Sequence, residues 1–478
     1  MTYPEKKICL VIVDGFGIPV QSRPVDPTKK VVYLNELIKK YPNCTLDASG
    51  ESVGLPKNTM GNSEMGHLTI GTGRINLVGI EMINNAIKTG DFHKRLKQLF
   101  PRFTKRIHLI GLLSDGCVHS CTNHCTELNN YIRKELPDHK VFIHAISDGR
   151  DTEPCEFKKF FKKYNNIVSV CGRFYAMDSS NNLDRTKAAY MMMTKGEVKE
   201  FDINKNYSNS ITDEYFDPIL LKQETIEPDD TIIFFNIKAN GMIQLVEKFQ
   251  KTHRNIFTMT EYKKELGVFI FPHQRIHHSL SEILSSKYIS HIHLAESEKF
   301  PFVTYYFNGM TYHINYGEQH IMVQSMTGGK LDQKPACAMK DVARKTIKVL
   351  DNNVGFIVLN FAGPDLVGHT GNFIATENSV SILDDQIKMV HEACEKNGYL
   401  MIITADHGNC ENMRSGRGTC TTHSKSKVPF IITSNDYEID KSLKNKGLKN
   451  IAPTILYLMK IDKPAEMTGK SLVKKLNK

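Results

Sequence analysis

The chain has 478 residues, and 62 Lys and Arg against 52 Asp and Glu leave a net charge of +10. That length exceeds what one hydrophobic core fills, so two or three domains are expected, and a composition of 40% hydrophobic and 24% charged residues excludes a disordered or fibrous chain. No run approaches the roughly 18 apolar residues of a membrane span, and the first residues lack the apolar segment of a signal peptide.

The basic charge is spread along the chain without interleaved aromatics, which argues against a nucleic-acid surface. A cytoplasmic protein with neither a membrane nor a nucleic-acid partner is therefore predicted, and a monomer is expected, although charge and composition do not themselves set the oligomeric state. Eleven scattered cysteines, an odd number, read as free thiols rather than a disulfide framework.

In chain order, short apolar β-branched runs at 8–13, 107–113, 141–146, 232–235, 268–271, 355–361, 400–404 and 429–433 predict buried strands of parallel sheets. Amphipathic stretches at 76–89, 123–135, 335–351 and 378–397 predict helices among them. Strand alternating with helix is the pattern of an α/β fold.

The residues at the ends of these strands carry the chemistry. The first run ends in Asp14-Gly15, the second in Ser114-Asp115-Gly116 and the third in Ser147-Asp148-Gly149; the run at 355–361 leads to Asp365 and that at 400–404 to Asp406-His407-Gly408. Carboxyl ends of strands form the edge of an open α/β sheet where ligands bind. One such aspartate is ordinarily a turn or cap residue, but acids repeated at five strand ends, two of them linked to histidines, exceed that role.

Asp365 and His369 stand four residues apart, one turn if that segment is helical, so both face one ion. Asp406-His407 is a second such pair, His423 a third imidazole in a polar loop, and Asp14 a further carboxylate. Oxygen and imidazole donors without thiolate suit Mn²⁺, Zn²⁺ or Mg²⁺. Six such ligands exceed the needs of one catalytic ion and predict a pair clamping a displacement at phosphorus. The nucleophile for such a pair is Ser63, in the glycine-flanked window Met60 to His67; the same window reads equally as a serine that opens a helix.

Several long motifs occur in a fixed order along the chain. They are Asp14-Gly15-Phe16-Gly17, Met60 to His67 with Gly71-Thr72-Gly73-Arg74, Leu112 to Ser120, His144 to Asp151, Gly172 to Asp178, Ala295-Glu296-Ser297-Glu298-Lys299 and Asp406-His407-Gly408-Asn409. In these motifs the chain resembles the cofactor-independent phosphoglycerate mutases of the alkaline phosphatase superfamily nearly end to end.

The resemblance implies two α/β domains: an alkaline-phosphatase-like metal domain at 1–76 plus 310–478, split in sequence by a substrate-binding transferase domain at 77–309. It further implies that Asp365, His369 and His423 bind one divalent ion and that Asp14, Ser63, Asp406 and His407 bind the other. Mn²⁺ is the expected metal, with Zn²⁺, Co²⁺ or Mg²⁺ also compatible. Ser63 becomes a transient phosphoserine, and 3-phosphoglycerate and 2-phosphoglycerate interconvert in glycolysis without a bisphosphate primer. His119, Arg150, Asp151, Arg173 and Lys299 match substrate-binding positions, with Asp151 shuttling a proton between the glycerate hydroxyls.

The chain departs from the family pattern in its substrate grip. Ser179 and Gly241 stand where the family has arginines, and Lys238 replaces a third. These departures keep two alternatives open, a two-metal phosphomonoester hydrolase and an inactive anion-binding paralogue.

Three remaining features have ordinary readings. Cys117, Cys121 and Cys125 recur every four residues, which predicts a buried helix face rather than a metal knuckle. Gly328-Gly329-Lys330 lacks the upstream glycine of a P-loop, and Met191-Met192-Met193 reads as core filler.

Overall fold

Runs of Val, Ile and Leu build the centres of two separate seven-stranded sheets, each belonging to its own unit. The computed structural model describes residues 5–19, 26–178, 182–273, 275–326, 328–415 and 418–476. One unit comprises Met1–Asn76 and Arg275–Lys478, the other Leu77–Gln274.

In the first unit the strand order is Glu318–Val323, His291–Glu296, Phe356–Phe361, Lys7–Val13, Tyr399–Thr404, Val428–Ile432, Asn43–Leu46. The central strand Lys7–Val13 is parallel to both neighbours, with Val11 opposite Leu359 on one side and Ile403 on the other. Its residues from Ile8 to Val13 are fully buried, as expected of a strand covered on both faces. This register brings the three strands to a common end, with Val13 opposite Phe361 and Ile12 opposite Thr404. Asp14, Asp365 and Asp406 lie just beyond those ends.

Two sequence expectations are corrected here. The run at 429–433 is a strand, Val428–Ile432, but it pairs antiparallel with Tyr399–Thr404. The insertion also ends earlier than expected, because His291–Glu296 is parallel to Phe356–Phe361 and belongs to the first sheet. Residues 275–309 therefore fold with the outer segments, and Lys299 with them.

In the second unit the order is Ile219–Leu220, Ile167–Gly172, Lys140–Ser147, Arg106–Leu112, Thr231–Phe234, Asn255–Thr260, Val268–Phe271, parallel throughout except the first strand. Period-two alternation divides its core between the faces. Ile107 and Leu109 join one apolar cluster, Ile110 and Leu112 the other.

Met192 and Met193 pack in that second cluster, whereas Met191 is exposed. The helix Thr122–Glu135 begins after Cys121, so only Cys125 of the three spaced cysteines lies on its buried face. Cys117 and Cys121 precede the helix and form a disulfide, contrary to the expectation of free thiols. Among the described residues no helix is long and apolar enough to cross a membrane.

Candidate active site

Ser63 opens the helix Ser63–Thr72, whose N-cap Asn62 accepts from Met65 N at 2.9 Å. Asn62 fills the capping role, so the Ser63 hydroxyl points elsewhere. Its Oγ lies 3.2 Å from Asp14 Oδ1, 2.9 Å from His407 Nε2 and 3.0 Å from Lys299 Nζ. Lys299 Nζ also donates to Asp14 Oδ1 at 2.8 Å and Asp365 Oδ2 at 2.6 Å. Lys299, expected among the substrate contacts, is thus built into the carboxylate cluster of the first unit.

Asp365 lies in the short helix Gly363–Gly368, and His369 N donates to its carbonyl at 3.0 Å, the single turn that the four-residue spacing requires. Asp365 Oδ1 is 3.4 Å from His369 Nε2 and 3.3 Å from His423 Nε2. Asp406 and His407 leave the strand Tyr399–Thr404 fully buried. The His407 ring stacks on His423 with centroids 3.9 Å apart.

The structure therefore gathers all seven expected metal-site residues. Two groups of ligand atoms converge within 4.8 Å, one on Asp365, His407 and His423 and the other on Asp14, His67 and Asp406. His407 stands with the first group as well as beside Asp14, and His67 enters a place the expected set did not include.

The backbone orients these rings. Nδ1 of His369 donates to Thr421 O at 2.8 Å and Nδ1 of His423 to Gly61 O at 2.8 Å. A neutral ring so held presents a lone pair on Nε2, which is how a metal-ligating imidazole is positioned. The two Nε2 atoms then lie 3.0 Å apart, and Asp406 Oδ2 is buried without a donor. Lone pairs facing one another beside Asp365 Oδ1, and an unsatisfied Asp406 oxygen beside His407, fit divalent cations.

The electrostatics agree. Burial opposes charge on His407, but Asp406, Asp14 and Asp365 outweigh it and push its pKa up to about 9. Burial likewise opposes the Lys299 ammonium, and Asp14, Asp365 and Asp406 overcome it and raise its pKa. This cluster attracts positive charge wherever it can.

The second unit carries a cleft of about 670 Å³ lined by His119, Arg150, Asp151, Arg173, Arg185 and Asn240, among others. Arg173, nearly buried, forks from Nη1 to Asp148 Oδ1 at 2.5 Å and Asp151 Oδ2 at 2.6 Å. Asp148 also accepts from Ser114 Oγ at 2.5 Å and from the backbone of Arg150 and Asp151 at 3.1 and 3.0 Å. His119 Nε2 is 3.9 Å from Asp151 Oδ2.

The expected residues His119, Arg150, Asp151 and Arg173 thus share one cleft. Lys238 is exposed and does not line it. Ser179 lies outside the described residues. Gly241 does line the cleft, at φ +81°, with Met177 O 3.0 Å from where a Cβ would stand.

Four supporting residues stand outside the set that the sequence singles out. Asp148 reads in the sequence only as a strand-end acid. Asn360 donates to Asp14 Oδ2 at 2.7 Å and lies hidden inside an apolar strand. Asn409 donates to Asp365 Oδ1 at 2.7 Å. Glu411, buried, accepts from Gly17 N at 3.1 Å, Asn409 N at 2.9 Å and the Ser424 hydroxyl. The signal available for Asn409 and Glu411 is closeness to Asp406-His407 in sequence.

A family model described as the metalloenzyme superfamily matches residues 6–463. The chain is 36% identical to the 2,3-bisphosphoglycerate-independent phosphoglycerate mutase of Mycoplasma genitalium, over 99% of this chain and 100% of that protein. It is 38% identical to the enzyme of the same name from Clostridium acetobutylicum, over 98% and 99%. In three dimensions it is similar to Leishmania mexicana phosphoglycerate mutase solved at low cobalt concentration. That match has a TM-score of 0.70 and 25% identity, over 99% of this chain and 98% of the other.

Proposed function

Because the chain belongs to the 2,3-bisphosphoglycerate-independent phosphoglycerate mutases of the metalloenzyme superfamily, we propose that Ser63 is its phosphoryl acceptor and that the carboxylate–histidine cluster and the arginine-lined cleft divide the work. The protein is an isomerase, an intramolecular phosphotransferase that interconverts 3-phosphoglycerate and 2-phosphoglycerate. It requires a divalent metal.

We assign two ions to Asp365, His369 and His423 and to Asp14, Ser63, Asp406 and His407, with His67 beside the second set. Mixed carboxylate and imidazole donors accommodate Mn²⁺, which we take as the metal, as they do Zn²⁺ and Co²⁺. Divalent ions held by this set supply positive charge that acidifies the serine hydroxyl and polarises the phosphoryl oxygens.

The chain's own residues do the rest. Asp14 and His407 flank Ser63 Oγ and, with an ion bound among them, would hold the serine oxygen in its deprotonated form for attack on phosphorus, its proton having passed to solvent as the ion bound. A P–O bond to Ser63 forms, the P–O bond to the glycerate oxygen breaks, and Lys299 Nζ, 3.0 Å from Oγ, balances the charge gathering there. Arg150, Arg173 and Arg185 in the cleft supply guanidinium groups suited to the glycerate carboxylate and phosphate. Asp151, a carboxylate paired with Arg173, takes the proton of the free glycerate hydroxyl and hands it to the oxygen that has lost its phosphate, so that the newly deprotonated oxygen receives the phosphate from Ser63. We infer a monomer as the working unit, acting in the cytoplasm on a small polar substrate.

The observation that carries this reading is the convergence of Lys299, Asp14 and His407 on a serine hydroxyl that its own helix cap leaves free. Mass spectrometry after rapid acid quench should find phosphate on the peptide containing Ser63, and Ser63→Ala should be inactive. Label on His67, or a need for added bisphosphoglycerate, would overturn the mechanism.

A further inference from the structure

The strand His291–Glu296 and the edge strand Glu318–Val323 run parallel, with His291 opposite Glu318 and His293 opposite His320. Residues two apart on a strand share a face, so these four side chains form a square on one face of the sheet. His291, His293 and Glu318 are fully buried at their side chains, and His320 is 17% exposed. The histidine Nε2 atoms lie 3.7, 3.8 and 2.5 Å, respectively for residues 291, 293 and 320, from the Glu318 carboxylate.

The tautomers are set from behind. His291 Nδ1 donates to Ile289 O at 3.0 Å and His293 Nδ1 to Val303 O at 2.5 Å. Neutral rings held this way carry lone pairs on Nε2, and those lone pairs face carboxylate oxygens. Such an array is repulsive unless a cation stands within it.

A proton on His320 satisfies one oxygen of Glu318 but leaves His291 Nε2, buried, without any hydrogen-bond partner. Glu318 is held in place by Asn308 Nδ2 at 2.5 Å, Asn315 N at 2.9 Å and Asn315 Nδ2 at 2.7 Å. Outer hydrogen bonds of this kind orient ligands at metal sites.

We propose that His291, His293, Glu318 and His320 form a second metal site, a structural one for a Zn²⁺-type ion, which ties the edge strand to its sheet. Three imidazoles and one carboxylate match the donor preference of Zn²⁺ and exclude a Ca²⁺ or Mg²⁺ cage. Tetrahedral bonds of about 2.0 to 2.1 Å set ligand atoms about 3.3 Å apart. Ligand atoms of His291, His293 and Glu318 already lie within 4.8 Å of one another and would draw together around an ion, while the short His320 contact would widen to admit that ring as the fourth ligand. Partly exposed His320, on an edge strand, gives the ion a way in. His291 and His293 occupy the earlier part of a strand whose carboxyl end leads to Lys299, and none of the four residues is a ligand assigned to the catalytic ions, so the two sites are chemically separate.

The test counts metal. Protein stripped with chelator and reloaded with Zn²⁺ should hold one more tightly bound ion per chain than its His291→Gln and His320→Gln variants. Co²⁺ should give the visible bands of four-coordinate cobalt in a background with both catalytic ion positions disabled, Asp365→Asn, His423→Ala and Asp406→Asn, and lose them with either glutamine. Binding should weaken at least a hundredfold in both variants, and the thermal midpoint should stop responding to Zn²⁺ in that background. If His291→Gln does not fold, His320→Gln, at the more exposed corner, decides the matter. Equal metal content in wild type and His320→Gln, or no cobalt bands in the background, would overturn the site and leave Glu318 paired with a protonated histidine alone.

Discussion

Lys299 Nζ and Ser63 Oγ are 3.0 Å apart, although the two residues are 236 positions apart in the chain, and both touch Asp14. The contact arises because His291–Glu296, the strand before Lys299, lies next but one to the strand that ends at Asp14. A lysine there neutralises the nucleophile's surroundings before any substrate arrives. A hydrogen bond to a charged group is worth about 1.5 to 3 kcal/mol. Lys299→Met should accordingly lower kcat by about ten- to a hundredfold per contact that matters in the transition state, as read in steady-state kinetics. Lys299→Arg should not restore it, since a planar guanidinium does not reproduce a point ammonium at three acceptors. Unchanged kcat in Lys299→Met would remove Lys299 from the mechanism.

Chelation should abolish mutase activity, and Mn²⁺ should restore it. Asp406→Asn and His423→Ala should each be inactive while keeping the circular dichroism of the folded protein. Full activity in excess chelator would end the two-ion assignment.

The cleft makes a sharper prediction about substrate affinity. Arg185, stacked 3.7 Å over the Phe174 ring and bonded to Asp178 at 2.9 Å, places a guanidinium in the cleft that Gly241 also lines. Arg185→Ala should raise KM about tenfold with a smaller change in kcat. Adding charge at Asn240 should lower KM. Gly241→Arg, in contrast, should destabilise the protein, because φ +81° and the nearby Met177 carbonyl oppose any side chain. A KM unaffected by Arg185→Ala would exclude that residue from the grip.

Glu411 gives a stability prediction. Glu411→Ala strands Gly17 N and Asn409 N, two buried donors, at about 1 to 3 kcal/mol each. The urea midpoint should fall, and activity with it, since Asn409 holds Asp365. Wild-type stability in this variant would mean that water replaces the carboxylate.

The pH dependence of stability should show His124. Burial lowers its pKa from 6.5 to about 4, and its Nε2 sits 2.7 Å from Asn84 Oδ1. The unfolded chain therefore takes up a proton first as pH falls. Stability contributed by the neutral ring is intact above about 6.5, declines below it and is gone near 4, a loss of about 3 kcal/mol. His124→Gln should flatten the fall in unfolding free energy between pH 6.5 and 4; an unchanged slope would show that other groups cause it.

Much of the site is legible in the sequence because its chemistry is local. Asp365 and His369 are neighbours through one helical turn, Asp406 and His407 are consecutive, and each aspartate comes after an apolar strand that announces itself by composition. The family resemblance rests on those same short motifs. The strand His291–Glu296 is hard to read because its buried histidines interrupt the apolar run, and their partners lie on another strand. The cysteine spacing misleads for a related reason. A four-residue repeat suggests a helix, but the helix starts only at Thr122.

Fold class, strand ends and ligand types are written into single segments of the chain, since burial periodicity and donor chemistry are properties of each segment alone. Three features emerge only when the segments pack: Lys299 joins the serine rather than the cleft, His407 lies against Asp365 as well as Asp14, and Glu318 stands opposite His291. Those outcomes depend on strand order and register, which come from how whole segments pack, and no spacing along the chain encodes them.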